Sequence, residues 1–254
     1  MTRTIVFASG KGGVGKTTMV ANIGSVLAKS GKDVVVVDAN LTTPNLGLHL
    51  GVPLFPMTLH DVLKGRARLS DAIYHHESGL RIIPAGISLN DLKGVDSAHL
   101  PNTLLELLGN TDIVLIDASA GLGRETLSAL ESGDELVIIT NPDLPSVTDA
   151  LKLAKLSQRI GAKPLGLIIN RVQNKPHEMR TEDIVSMLDD IELLGEVPED
   201  ISVQEAIAAR NPVTVHKPYS SASKNITKLA GKLIGEDIEI KEPFHRKLFK
   251  FIFK

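Results

Sequence analysis

Short apolar runs separated by helical patterns recur along the whole chain. Residues 4–8, 34–38, 80–84, 113–117, 136–140, 165–170 and 193–197 are mostly near-continuous Val, Ile and Leu, as strands covered on both faces must be. Between them, Val20, Ile23, Leu27 and Ala28 make one helical stripe, and Leu151, Ala154 and Ile160 suggest another. A last core helix is expected over residues 222–233. This alternation predicts an α/β fold, a three-layer, doubly wound and mostly parallel β-sheet flanked by helices. Ligands of such sheets sit at the carboxyl ends of the strands. Residues 52–110, with several prolines and glycines, predict short helices and one strand. The expected division is a core over residues 1–235, a polar linker over 236–243 and an amphipathic tail over 244–254.

The length of 254 residues suits one large domain with a real core. Cysteine is absent, which removes disulfides, thiolate nucleophiles, cysteine-ligated zinc and iron–sulfur clusters together and fits a cytosolic setting. No signal peptide is expected, because Ile5-Val6-Phe7-Ala8 is too short and ends in a glycine loop. No run of about eighteen apolar residues predicts a membrane span. The net charge of −2 conceals an asymmetry: Arg246, Lys247, Lys250 and Lys254 lie within the last eleven residues, where no acid occurs. A mildly acidic body with a basic end argues against broad nucleic-acid wrapping and for a local task at the C-terminus.

Gly10, Lys11, Gly12, Gly13, Val14, Gly15, Lys16 and Thr17 match G-x-x-x-x-G-K-[ST]. Glycines let backbone amides turn toward phosphate oxygens, and the following helix points its positive end at them. Lys16 would reach the β- and γ-phosphates, the Thr17 hydroxyl would hold Mg²⁺, and Thr18 would add a hydroxyl near the α-phosphate. The bland alternative is a chance glycine-rich turn, which the preceding strand and following helix disfavour. A second cation, Lys11, would repel Lys16 unless phosphate charge lies between or beyond them. Two predicted strands end on acids, Asp38 and Asp117, well placed to orient Mg²⁺ and its waters. An aspartate ending a buried strand is also a common helix cap.

The run Lys11-Gly-Gly-Val-Gly-Lys-Thr-Thr18 resembles the deviant Walker A motif of the MinD/ParA ATPases. The resemblance implies an ATP-sandwiched homodimer in which Lys11 reaches the partner's nucleotide. Asp117-Ala-Ser-Ala-Gly121 resembles that family's Walker B and switch II, and residues 38–46 resemble switch I of the MinD branch. Where the branch has a second acid, linked to positioning the attacking water, this chain has Asn40. An amide keeps hydrogen-bonding capacity but accepts no proton, so ATP binding with slow hydrolysis is expected unless another group takes over. Asn170 and Arg171, and Pro198, Glu199 and Asp200, resemble positions that read the base; without the family, Asn170 reads as a turn former. No Asn-Lys-x-Asp guanine signature is present, which favours ATP. Residues 141–149 also resemble the branch and are placed at the dimer face or beside the nucleotide, with no chemical role assigned.

The tail holds four of the six phenylalanines. On a helix, Phe244, Leu248, Phe249, Phe251, Ile252 and Phe253 share one broad sector, opposite Arg246, Lys247, Lys250 and Lys254. Such a segment enters an anionic membrane interface with its aromatics and meets headgroups with its cations. Packing on the body, as helix or strand, is the alternative. MinD proteins end in a similar basic, aromatic membrane-targeting helix. The resemblance therefore implies a Mg-ATP-dependent ATPase that dimerises and docks reversibly on the inner membrane face. There it would position division or another polar machinery together with a partner protein. A ParA-like DNA-partitioning ATPase and a flagellum- or pilus-positioning relative are the competing readings; specific DNA binding is disfavoured by the acidic body. The His75-His76 pair, the basic cluster at 64–68 and Asp189-Asp190 read as surface, solvated and helix-ending features.

Overall fold

The computed structural model describes residues 1–52, 54–188 and 191–238. The tail over residues 244–254, the later part of the expected linker and the Asp189-Asp190 pair lie outside the described residues. The strands are β1 (Arg3–Ser9), β2 (Val34–Ala39), β3 (Tyr74–His75), β4 (Arg81–Ile83), β5 (Ile113–Ala120), β6 (Glu135–Thr140), β7 (Lys163–Val172) and β8 (Leu193–Pro198). The helices are α1 (Lys16–Lys29), α2 (Leu46–His49), α3 (Leu59–Leu63), α4 (Leu100–Leu104), α5 (Arg124–Glu131), α6 (Leu144–Arg159), α7 (Thr181–Met187), α8 (Ile201–Ala208), α9 (Val213–His216) and α10 (Ser221–Ile234).

All eight strands form one sheet in the order β3-β4-β2-β5-β1-β6-β7-β8. Every pairing is parallel except β3 with β4. Side chains alternate across a strand, and both faces are covered here. Val6, Ala8, Val35, Val37, Val114 and Ile116 pack into one core with Leu130, Val147 and Ile184 from α5, α6 and α7. Ile5, Phe7, Val34, Val36 and Leu115 pack into the other with Ile23 and Leu27 of α1 and Ile226 of α10. This two-sided burial is the reason the strands read as continuous apolar runs rather than alternating ones.

The segment over 52–110 contains a second strand that the sequence pattern does not predict. Tyr74–His75 is only two residues long and pairs antiparallel with β4 through Tyr74↔Ile82 and His75↔Arg81. Too short to carry a period, it is held by pairing and by the Tyr74 ring against Phe55, centroids 4.6 Å apart. At the other end, the first residues of the expected linker are tied to the body. Gly235 closes α10 in the left-handed region, Glu236 pairs with Lys32 at 2.5 Å, and Ile238 packs on the α1–α10 core. Among the described residues no helix is long and apolar enough to cross a membrane.

Candidate functional site

The central strand β1 ends at Ser9 and the chain turns through residues 10–15 into α1. Gly15 sits at φ 94°, and α1 carries no acid in its first turn. The first helical bond runs from Met19 N–H to Gly15 O at 3.0 Å, so the amides of residues 16–18 precede it and face the positive end of the helix dipole. Two glycines are required here by their neighbours. A Cβ on Gly10 would lie 2.4 Å from the Asp149 backbone in α6, and one on Gly15 would lie 2.3 Å from Asn170 Nδ2. The loop is braced from the next strands: Asn170 Nδ2 donates to Val14 O at 2.6 Å, and the Asn141 amide, oriented to donate, reaches the same oxygen at 3.3 Å.

Lys16 points down to the strand ends rather than out to solvent. Its ammonium lies 2.5 Å from Asp117 Oδ1, and both side chains are buried. Asp117 Oδ2 is buried with no hydrogen-bond partner among the described residues. Because β2 and β5 are in parallel register with Asp38 opposite Asp117, the two carboxyl groups stand side by side on the same face. Asp38 is the last residue but one of β2, whereas β5 does not end on Asp117 as expected but runs three residues further, to Ala120. Burial, and after it the Asp117 charge, push the Asp38 carboxyl up to about 7. The Asp38 oxygens accept from the backbone N–H groups of Asn40, Asn45 and Leu46 at 3.1–3.2 Å, so this acid also folds the loop that follows it. Two buried acids and one ammonium leave the cluster short of positive charge. Among the described residues no group of three or more His, Cys, Asp or Glu side chains is placed to hold a metal ion. The Asp117 orphan oxygen, Asp38 and the Thr17 hydroxyl are hard oxygen donors beside a phosphate-type loop. That set fits Mg²⁺, which keeps several waters and takes one or two carboxylates.

A cleft of about 300 Å³ opens above the loop, lined by Gly12, Gly13, Gly15, Lys16, Thr17, Thr18, Asn40 and His49 among others. Burial pushes the His49 imidazole below its ordinary range, against the pull of Asp117. The cleft runs into a smaller pocket bounded by Asn170, Arg171, Pro198, Glu199 and Asp200, the two sharing Gly15, Thr18, Arg171 and Ile207. The expected base residues are thus gathered in one place, yet several are engaged with the protein. Asp200 caps α8 through Ser202 N–H at 2.9 Å and accepts from Ala222 N–H of α10 at 3.0 Å. Arg171 adopts φ 60° and lies 3.7 Å from Glu199. Lys11 does not line the cleft; half exposed, it stands 3.8 Å from Asp143, the N-cap of α6.

Asn40 forms part of the cleft wall and is buried. Its Nδ2 donates to Thr43 O at 2.6 Å, and its Oδ1 accepts from Thr43 N–H at 3.2 Å and lies 2.9 Å from Ser119 Oγ. Sequence reasoning set residues 141–149 at the dimer face or beside the nucleotide but gave Asn141 no chemical role, and it passed over His49. Asn170, expected just after a strand, lies within β7. Ser119 lies in the switch II-like run without having been given a role of its own, and Glu125 carries no motif.

The model of the CobQ/CobB/MinD/ParA nucleotide binding domain matches residues 5–213. An uncharacterised ATP-binding protein of Methanocaldococcus jannaschii is 40% identical over 258 residues, covering 100% of this chain and 97% of the relative. The septum site-determining protein MinD of Pyrococcus horikoshii, solved with Mg-ADP, superposes with a TM-score of 0.88 at 37% identity, covering 92% of this chain and 96% of that one. MinD in the MinC:MinD complex of Aquifex aeolicus gives 0.83 at 31% identity, covering 94% and 98%. The chain belongs to the CobQ/CobB/MinD/ParA family of nucleotide-binding domains, and its relatives include MinD proteins.

Proposed function

We propose that this chain is a MinD-like ATPase that binds Mg-ATP, closes into a nucleotide-sandwich homodimer and resides reversibly on the inner face of the cell membrane. There it positions division or another polar machinery through a partner protein. In this reading the 10–18 loop cradles the phosphates and Lys16 would turn from Asp117 toward them. Thr17, Asp38 and Asp117 would hold Mg²⁺, whose charge would compensate the two acids. Asn170, Arg171 and residues 198–200 frame the base. The carrying observation is Lys11, which stands outside its own cleft, half exposed, with an ion-pair contact of only 3.8 Å. An extended cation at the mouth is suited to a nucleotide held by a second copy, in the manner of an arginine finger. Exposed Leu122 and Leu144 lie in switch II and at the start of α6, as a face that closes on a copy would need.

Hydrolysis is slow in this reading, since Asn40 accepts no proton. The tail is a weak anchor on its own, and pairing two of them multiplies avidity, so ATP controls membrane residence through dimerisation. The test is co-sedimentation of the full chain, and of a chain ending at residue 243, with anionic phospholipid vesicles in ATP and in ADP. Binding confined to the full chain with ATP supports the reading; equal binding by both chains removes the membrane part. Lys11→Ala is expected to stay monomeric in ATP by size-exclusion chromatography, and an undiminished dimer removes the in-trans role.

A further inference from the structure

Glu125, in the first turn of α5, belongs to none of the motifs above, yet its carboxylate faces both switch loops. Oε1 accepts from the Thr42 hydroxyl, and Oε2 meets the Ser119 hydroxyl and lies 3.4 Å from Thr42 N–H. Ser119 Oγ lies 2.9 Å from Asn40 Oδ1. A carboxylate near a helix N-terminus is favourable in itself. That accounts for its place on α5, not for its reach to a residue 83 positions away.

The amide of Asn40 is oriented by Thr43. Turning it over would set its oxygen against Thr43 O, now 2.6 Å from Nδ2, and its N–H₂ against Thr43 N–H. Oδ1 is therefore the atom offered to Ser119, whose single proton faces two acceptors, Asn40 Oδ1 and Glu125 Oε2. The hydroxyl bridges the two groups, and the second attachment through Thr42 keeps the loop from pivoting about that bridge.

We propose that Glu125 is a positioning residue for nucleotide hydrolysis, tying the 40–43 loop to the start of α5 through Thr42 and Ser119 and so holding Asn40 in the cleft wall. The proposal rests on the ATPase reading above. Glu125 touches neither the cleft nor the loop that receives phosphate, so its loss should alter the loop's order rather than nucleotide affinity.

The experiment compares wild-type full chain with Glu125→Ala, Ser119→Ala, the double variant and Glu125→Gln. The readouts are kcat and KM for Mg-ATP hydrolysis, affinity for a fluorescent ATP analogue, and backbone hydrogen exchange over residues 40–46. Glu125→Ala is expected to lower kcat about tenfold with KM and analogue affinity within about twofold, and to speed exchange over 40–46 about tenfold. The double variant should be no worse than either single one. Glu125→Gln, which can donate to Ser119 Oγ and still accept from Thr42, should keep kcat within about threefold. Unchanged exchange in Glu125→Ala, additive losses in the double variant, or Glu125→Gln falling as far as Glu125→Ala overturns the proposal. A wild type that binds no analogue removes the ATPase reading instead, and the exchange result then judges the clasp by itself.

Discussion

The two ends of the groove proposed to hold the nucleotide are built on different principles. At the phosphate end, buried Lys16 and Asp117 form an ion pair, and Asp38 beside them is pushed up to about 7 by burial and then by the Asp117 charge. At the base end, Asn170 and Asp200 are engaged in ordinary structural bonds, the first donating to Val14 O, the second accepting from the starts of α8 and α10. The contrast teaches where recognition resides. A ligand entering the phosphate end replaces one set of charges by another, whereas one entering the base end meets shape and backbone groups framed by side chains already bonded.

Substitutions can break or sharpen that contrast. The largest effect is expected from Lys16→Ala, which strands a buried acid. Unfolding free energy should fall by about 3–5 kcal/mol, and nucleotide affinity by about 100-fold, read by denaturation and calorimetry. A loss below about fivefold would erase the distinction between the ends. Next comes Asp38. Its folded pKa of about 7 lies above the ordinary 3.8, so the folded state keeps this proton longer than the unfolded one. The stability it contributes is full below about pH 4 and is lost as pH rises through about 7, a change on the order of 1–4 kcal/mol. Asp38→Asn should flatten that slope in metal-free protein unfolded by urea between pH 5 and pH 8; an unchanged slope would show that neither burial nor the Asp117 charge raises the Asp38 pKa.

Gly10→Ala is expected to cost about 1–3 kcal/mol by overpacking against the Asp149 backbone, and to weaken nucleotide binding about tenfold. The smallest effect is assigned to Asp200→Ala. Losing this cap should cost about 1 kcal/mol while nucleotide affinity stays within about threefold. A larger drop in affinity would make Asp200 a ligand contact and narrow the contrast.

How much of this was legible in the sequence depended on the range over which each signal acts. The loop at 10–17 and the apolar runs leading to Asp38 and Asp117 are local patterns, and the structure brings the two acids side by side, although β5 continues past Asp117 to Ala120. The strand Tyr74–His75 is not local, since two residues carry no period and the pairing partner comes from β4. Asn170 and Asp200 were legible as residues but not in their bonding, because Val14 and Ala222 reach them only through the fold. Glu125 was silent for the same reason. Asn40 was legible as the missing acid, but its donor role toward Thr43 was not. An aspartate there would set a carboxylate oxygen where Nδ2 now stands, 2.6 Å from Thr43 O. The amide is therefore a component of this loop and not merely the loss of a base.

The register of β2 on β5 has a consequence for how this chain can change. Asp38 opposite Asp117 is set by ladder spacing, about 4.8 Å between neighbouring strands, and not by any side chain. One residue inserted within either strand would turn its acid to the opposite face of the sheet. Lengthening the loop between β2 and β4, far from that ruler, would leave the spacing untouched. Insertions and deletions in related chains should therefore gather over residues 52–110 and avoid 34–38 and 113–117, a pattern drawn by geometry before any selection on chemistry.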